Sequence, residues 1–293
     1  MITLLTNDDG IFSPGLSAIK QEMEKLGDVY VVAPAAEQSG VSQSMTFRAP
    51  LIVKDVFFQN KRWGWAVEGT PTDCIKVGVN AICPRTPDLI ISGINWGQNA
   101  GTNILYSGTL GAAREGGLRG IPTVALSVED DEIMPDFTRA AAISRSLIQQ
   151  ILELLQKESD ITTPHPVFNI NMARESLQEE NPQIIFAPMD TTPYGDTLER
   201  RVDTFGRYYY WHFPNSRRHR PETMTDMNAL GLNRIVITPI QIDMTNYSLL
   251  TKMENWALQP EPRCVTEENA RNEIPSVNFS MRTQKIRMPE NDR

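Results

Sequence analysis

The sequence is poor in the residues that soft metals and disulfides require. It holds three cysteines, Cys74, Cys83 and Cys264, and three histidines, His165, His212 and His219. An odd cysteine count without C-x-x-C spacing argues against a disulfide framework and a zinc knuckle. The cysteines read as free thiols of a reducing compartment, and no histidine pair has H-x-x-x-H spacing. No apolar run is long enough to span a bilayer. The chain opens directly on strand-like sequence, without a basic stretch and apolar segment, so no secretory signal is expected and the cytoplasm is the expected location. Positive charge is also short: 28 Lys and Arg against 36 Asp and Glu, net -8. That argues against a nucleic-acid duplex as the main partner, which calls for a basic face. Small anionic substrates stay open, because a local site can be positive inside an acidic protein.

Several nucleotide and hydrolase motifs are missing as well. There is no G-x-x-x-x-G-K-[ST], no G-x-G-x-x-G after the first strand and no G-x-S-x-G. A P-loop hydrolase, a dinucleotide Rossmann site and a nucleophile elbow are each disfavoured at motif level.

What is present is an alternation of strand and helix signals. Ile2–Thr6 is a short apolar run, as for a strand covered on both faces. Ser13-Pro14 marks a helix start; Leu16, Ile19, Met23 and Leu26 follow at helical spacing until Gly27. Residues 29–34 form a second strand, and "LIVKDVFF" with "RWGWAVEG" form an inserted pair. Thr70-Pro71 opens a helix through Ile82, residues 88–93 are a buried strand, and Ser107–Gly117 is a helix of small residues. Strands are expected at 122–128 and 167–172, with a long helix from Asp136 to about Lys157 between them. This order predicts an α/β fold, a Rossmann-like, doubly wound and mostly parallel sheet. A smaller C-terminal β-hairpin part that serves oligomerisation should accompany it.

The domain reading is a Rossmann-like core over 1–175. A hairpin and oligomerisation region over 176–258 packs on it, and a polar tail, 259–293, is flexible or bridges subunits. "RYYYWHF" reads as one strand of an antiparallel hairpin. Arg200 and Arg201 before it read as hairpin residues rather than substrate contacts. "YSLLTKMENWAL" reads as a helix.

In a doubly wound sheet, functional groups lie at the carboxyl ends of the strands. Three successive strands end in polar residues: the first in Asn7-Asp8-Asp9-Gly10, the second in a loop carrying Ser39, and the 88–93 strand in a loop carrying Asn95 and Asn99. Singly, these read better as a turn carboxylate, a cap and a loop amide than as ligands. Together they form an all-oxygen donor set that suits a hard divalent ion, Mg²⁺ or Mn²⁺, rather than Zn²⁺. "YSGTLGAAREGG" adds a helix N-terminus, whose free N–H groups and partial positive charge suit a phosphate. Asn99, Ser107, Gly108 and Thr109 are the candidate phosphate contacts there, with Asn103 as a further donor. "VEGTPTDC" reads as a well-capped helix start or as another wall of the same pocket.

These segments resemble one family. "LLTNDDGIFSPG", "VVAPAAEQSGVSQS", "VEGTPTDC", "DLIISGINWGQNAGTNILYSGTLGAAREG" and "IPTVALS" are similar to the motifs of the SurE survival-protein family, and "FNINM" and "TDMNALGLNRIVITPI" follow more loosely. The resemblance implies a metal-dependent phosphomonoesterase that hydrolyses nucleoside 5′- or 3′-monophosphates, and short polyphosphate. It implies one divalent ion per subunit, held by Asp8, Asp9, Ser39 and Asn95, and a homodimer or homotetramer. Asp8 or Asp9 is the candidate general base. The competing readings are an aspartyl-phosphate enzyme with Asp8 as nucleophile, and a non-catalytic nucleotide sensor using the same pocket. Asn233-Arg234 and Met172-Ala173 depart from the family pattern but leave the metal positions alone.

Overall fold

Leu4 and Leu5 point to opposite sides of their strand, and both are fully buried. The first strand therefore has to be covered on two faces. The computed structural model describes residues 1–130, 133–157, 166–192, 196–214, 223–256 and 258. Among these, a nine-stranded sheet has the order β3-β4-β2-β1-β5-β6-β7-β11-β8. Its strands are β1 (Ile2–Thr6), β2 (Asp28–Pro34), β3 (Val53–Phe58), β4 (Lys61–Val67), β5 (Leu89–Trp96), β6 (Thr123–Val128), β7 (Val167–Met172), β8 (Ile184–Phe186) and β11 (Ile235–Ile240). The stretch β4-β2-β1-β5-β6-β7 is parallel throughout. β3 pairs antiparallel with β4, β11 antiparallel with β7, and β8 parallel with β11.

Leu5, Val31, Ile91 and Leu126 share one core with the helices α1 (Pro14–Met23) and α4 (Phe137–Lys157). Leu4, Val32, Val67 and Ile90 share the other with α2 (Pro71–Val77) and α3 (Gly108–Leu118). Chain order reverses at β1. The chain leaves β1 toward β2 on one side and returns to β5 on the other, so the crevice between their carboxyl ends is the switch point of the sheet.

The helix starts follow their caps. Ser13 Oγ accepts from the Leu16 N–H (3.3 Å), and Asp136 Oδ1 accepts from the Arg139 N–H (3.0 Å). At Thr70 the capping box is complete: Thr70 Oγ1 accepts from the Asp73 N–H (3.2 Å), and Asp73 Oδ2 accepts from the Thr70 N–H (3.0 Å). The helix expected through Ile82 is regular only to Val77. Its last turn, Gly78–Ile82, is widened into a π turn closed by the Cys83 N–H donating to the Gly78 carbonyl (2.8 Å). Cys74 and Cys83 are free thiols, and burial pushes both up, Cys83 to about 11. Cys264 and the 259–293 tail lie outside the described residues.

The described residues fall into two compact units, one drawn from 1–193 and 217–243, the other from 194–216 and 244–293. The stretch 176–258 is thus divided between them. In the second unit, β9 (Asp196–Val202) and β10 (Tyr208–Pro214) form an antiparallel hairpin with Tyr208, Tyr209, Tyr210 and Trp211 exposed. Arg201 pairs with Glu199 (2.7 Å) and Arg200 lies over the Tyr208 ring. The last helix, α6 (Tyr247–Met253), is shorter than its sequence pattern. None of its residues is buried, so packing does not extend it.

A short helix that local patterning did not reveal, α5 (Asp226–Gly231), carries a fully buried carboxylate in the first unit. Asp226 accepts from the backbone N–H groups of Gly101 (2.7 Å), Asp190 (2.8 Å) and Met227 (2.8 Å). Burial raises its pKa, and these three donors oppose the rise. Asp226→Ala strands three backbone donors, one buried and two part-buried, and is expected to lower unfolding free energy by about 3 kcal/mol in urea titration. A loss under about 1 kcal/mol would mean that water replaces the carboxylate.

Candidate active site

Asn7 shapes the turn after β1. Its Nδ2 donates to the Gly10 carbonyl (3.0 Å) and to Ser13 Oγ (2.7 Å), and Gly10 supplies the positive φ of +98° that the turn requires. Asp8 and Asp9 are thereby held at the carboxyl end of β1. The loop after β2 closes over them, with the Gln38 N–H donating to the Asp8 carbonyl (2.7 Å). This loop carries Ser39, whose hydroxyl donates to Glu37 Oε1 (2.6 Å). From β5 comes Asn95, its amide NH₂ engaged by the Gly97 carbonyl (2.7 Å), which leaves the amide oxygen as its free donor atom.

Asp8, Asp9, Ser39 and Asn95 all line one cavity of about 710 Å³, together with Asn99, Asn103 and Ser107. Of the other expected phosphate contacts, Gly108 and Thr109 are placed beneath the cavity, against Asp8. Thr109 Oγ1 donates to Asp8 Oδ1 (2.6 Å), and a Cβ added at Gly108 would stand 2.9 Å from Asp8 Cβ. Ser107 caps α3 by accepting from the Leu110 N–H (3.1 Å). "VEGTPTDC" contributes no cavity residue. Its Asp73 instead accepts from the Thr46 N–H (3.1 Å) and hydroxyl (2.7 Å), anchoring the far end of the Ser39 loop.

The electrostatics are one-sided. Asp8, Asp9, Glu37 and Asp130 line the cavity, and among the described residues no Lys, Arg or His does. Burial raises the Asp8 carboxyl, against the Thr109 hydrogen bond that favours its ionised form. Burial first, then the neighbouring Asp8 charge, push Asp9 up to about 7, while the Trp96 backbone N–H opposes them. The two acids titrate as a coupled pair. Two carboxylates held this way, with hydroxyl and amide oxygens beside them, fit a hard divalent cation. The shortage of protein cations is what such an ion would offset.

Sequence reasoning missed the layer that holds Asn99. Its N–H donates to Asn171 Oδ1 (2.8 Å), and its carbonyl accepts from Asn169 Nδ2 (2.8 Å) and Asn171 Nδ2 (3.2 Å). Its own amide donates to Ser127 Oγ (2.9 Å) and Thr109 Oγ1 (3.3 Å). The available signal was the N-I-N alternation in β7, which puts two amides on one face of a buried strand.

Comparison with known proteins agrees with this geometry. A family model described as "Survival protein SurE" matches residues 3–195. The chain belongs to the SurE family. The 5'-nucleotidase SurE of Rhodopirellula baltica is 40% identical over 261 residues, 89% of this chain and 100% of that protein. The 5'-nucleotidase SurE of Desulforudis audaxviator is 38% identical over 263 residues, 87% of this chain and 97% of that one. Among solved SurE structures, that of Aquifex aeolicus superposes with a TM-score of 0.73 at 32% identity, covering 87% of this chain and 98% of that chain. The SurE match spans β1 through β8 and so contains every cavity residue named above.

Proposed function

We propose that this chain is a divalent-metal-dependent phosphomonoesterase that hydrolyses nucleoside monophosphates to nucleoside and phosphate. The observation that carries this is the cavity itself: adjacent carboxylates, Asp8 buried and Asp9 half-buried, with no cationic side chain of the described residues lining it and a helix N-terminus at its wall. A phosphate dianion could not enter so acidic a site unless another charge offset the carboxylates. The relatives named 5'-nucleotidase SurE support the same substrate class.

Asp8, Asp9, Ser39 and Asn95 would hold the ion, Mg²⁺ or Mn²⁺, one per subunit. Once bound, the ion supplies charge neutralisation for the phosphate oxygens and acidifies water near neutral pH. The N-terminus of α3 offers backbone N–H groups and a positive dipole end to the anion. Asn99 is held rigidly by Asn169 and Asn171, so reaction entails little reorganisation there. Asp8 or Asp9 could act as the general base that takes a proton from water. No lysine lines the cavity among the described residues, so the aspartyl-phosphate route has less support. The exposed aromatic strand β10 supports a homodimer or homotetramer, and the free thiols go with a cytoplasmic location.

The test is hydrolysis of nucleoside 5′- and 3′-monophosphates by chelated protein refilled with Mn²⁺ or Mg²⁺. Activity should vanish with chelation and return with metal. Tight nucleotide binding without turnover would favour the sensor reading. Metal binding must also displace protons. Because Asp9 is raised to about 7, apparent Mn²⁺ affinity should be roughly tenfold weaker at pH 6 than at pH 8. The metal-free protein shows the opposite trend. Between about pH 4 and pH 7 the folded state holds a proton that the unfolded state has lost, so its stability falls as pH rises through that window. Thermal melts with and without Mn²⁺ at the two pH values read both effects.

A further inference from the structure

We propose that Phe12 and Trp96 form an aromatic stacking subsite at the mouth of the cavity, selecting phosphate esters whose leaving group carries a nucleobase over esters of bare sugars. This inference rests on the phosphomonoesterase reading above and adds the residues that choose the substrate. At about 710 Å³ the cavity is far larger than a phosphate group needs. It has the size of a pocket for an entire small ligand, roughly 300–1,000 Å³. The ion and phosphate donors occupy its polar floor, and the remainder has to receive the rest of the ester.

Four aromatic residues line the cavity with the acid pair, Phe12, Trp96, Tyr106 and the buried Phe137, and Phe12 and Trp96 are the two that flank Asp9. Phe12 is 80% exposed and Trp96 41% exposed, and neither joins a core cluster of the described residues. Core packing therefore does not account for them. Both are nonetheless held on ordered backbone. Phe12 sits in the turn closed by Ile11 N–H donating to the Pro34 carbonyl (2.8 Å) and Ser13 N–H donating to the Gly10 carbonyl (3.1 Å). Trp96 ends β5 in register with Val128, and the next N–H, of Gly97, donates to the Val128 carbonyl (2.8 Å). Both stand next to Asp9, Phe12 three residues along the turn and Trp96 through the backbone N–H that faces its carboxylate. Phe12 also borders a second, apolar hollow with Val56, Phe57, Phe58 and Trp63, so apolar surface continues outward from the mouth. Rigid aromatic faces bind bases by stacking, with little dependence on base identity. A base attached to a phosphate anchored at Asp8 and Asp9 lies in the same cavity as these two faces.

The experiment compares adenosine 5′-monophosphate with ribose 5-phosphate, which share the ester and the sugar and differ by the base. Wild type, Phe12→Ala, Trp96→Ala and the conservative Phe12→Tyr and Trp96→Phe are assayed in parallel with Mn²⁺. In wild type, kcat/KM should favour the nucleotide. Each alanine variant should lower the nucleotide-to-sugar ratio of kcat/KM about tenfold, mainly through KM, and the aromatic replacements should restore it. An unchanged ratio in both alanine variants, or no preference in wild type, overturns the subsite. If wild type hydrolyses neither ester, the phosphatase reading fails, and calorimetric binding of the same two compounds with Mn²⁺ decides the subsite alone. Nucleotide binding weakened about tenfold by either alanine substitution supports it, and equal binding of the two compounds by wild type overturns it.

Discussion

Asp8→Asn and Asp9→Asn each lower kcat/KM for nucleoside monophosphates by on the order of a thousandfold or more. Both substitutions keep shape and remove charge. In Asp8→Asn the new amide oxygen still accepts from Thr109, so the floor of the site stays in place. What is lost is the anionic pair proposed to draw in a cation. Stability should move the other way. The metal-free wild type keeps two like charges close together under a burial penalty, with Glu37 adding to the repulsion. Neutralising one carboxylate relieves that cost, so each variant should melt at or above the wild-type temperature in chelator at pH 8. Each should also lose the Mn²⁺-induced rise. An inactive variant that is at least as stable as its parent marks a site whose strain serves function. Near-wild-type turnover in both variants would remove the metal centre from the mechanism.

Thr109→Val weakens Mn²⁺ binding by about 10- to 100-fold, the range found for partners that orient metal ligands. Valine matches threonine in shape and lacks the hydroxyl that donates to Asp8 Oδ1 (2.6 Å). That hydrogen bond is the leading influence keeping the buried Asp8 ionisable. Without it the Asp8 proton is harder to remove, and the ion has to compete with it. The Asn99 amide loses one of its two acceptors and keeps Ser127. Metal titrations of activity should show a higher half-saturating Mn²⁺ concentration, with much of kcat recovered at saturation and the deficit widening from pH 8 to pH 6. An unchanged half-saturation point would make Thr109 a packing residue only.

The elements were legible where their signal is local. Ser13-Pro14, Thr70-Pro71 and Asp136 cap the helices that their patterns announced, because a cap bonds to an N–H three residues away. β1, β2, β5 and β6 stood out as apolar runs because both faces of the sheet are covered. α5 escaped notice because it is only six residues long and leaves little periodicity to detect. α6 was overread because its pattern continues past the point where packing supports it.

For the site, chain order alone predicted that the loops carrying Asp8, Asp9, Ser39 and Asn95 converge, and they do line one cavity. These residues follow three strands of a doubly wound sheet, and such a sheet brings adjacent strand ends to one crevice. Only the tertiary structure decided what surrounds that set. Among the described residues it kept basic side chains off the cavity wall, turned the Thr109 hydroxyl onto Asp8 across 101 residues of chain, and clamped Asn99 between amides about 70 residues away. It also tied Gly101 to Asp226 over 125 residues. Burial and hydrogen bonding between distant segments exist only once the sheet has formed, so no local pattern in the chain can carry them.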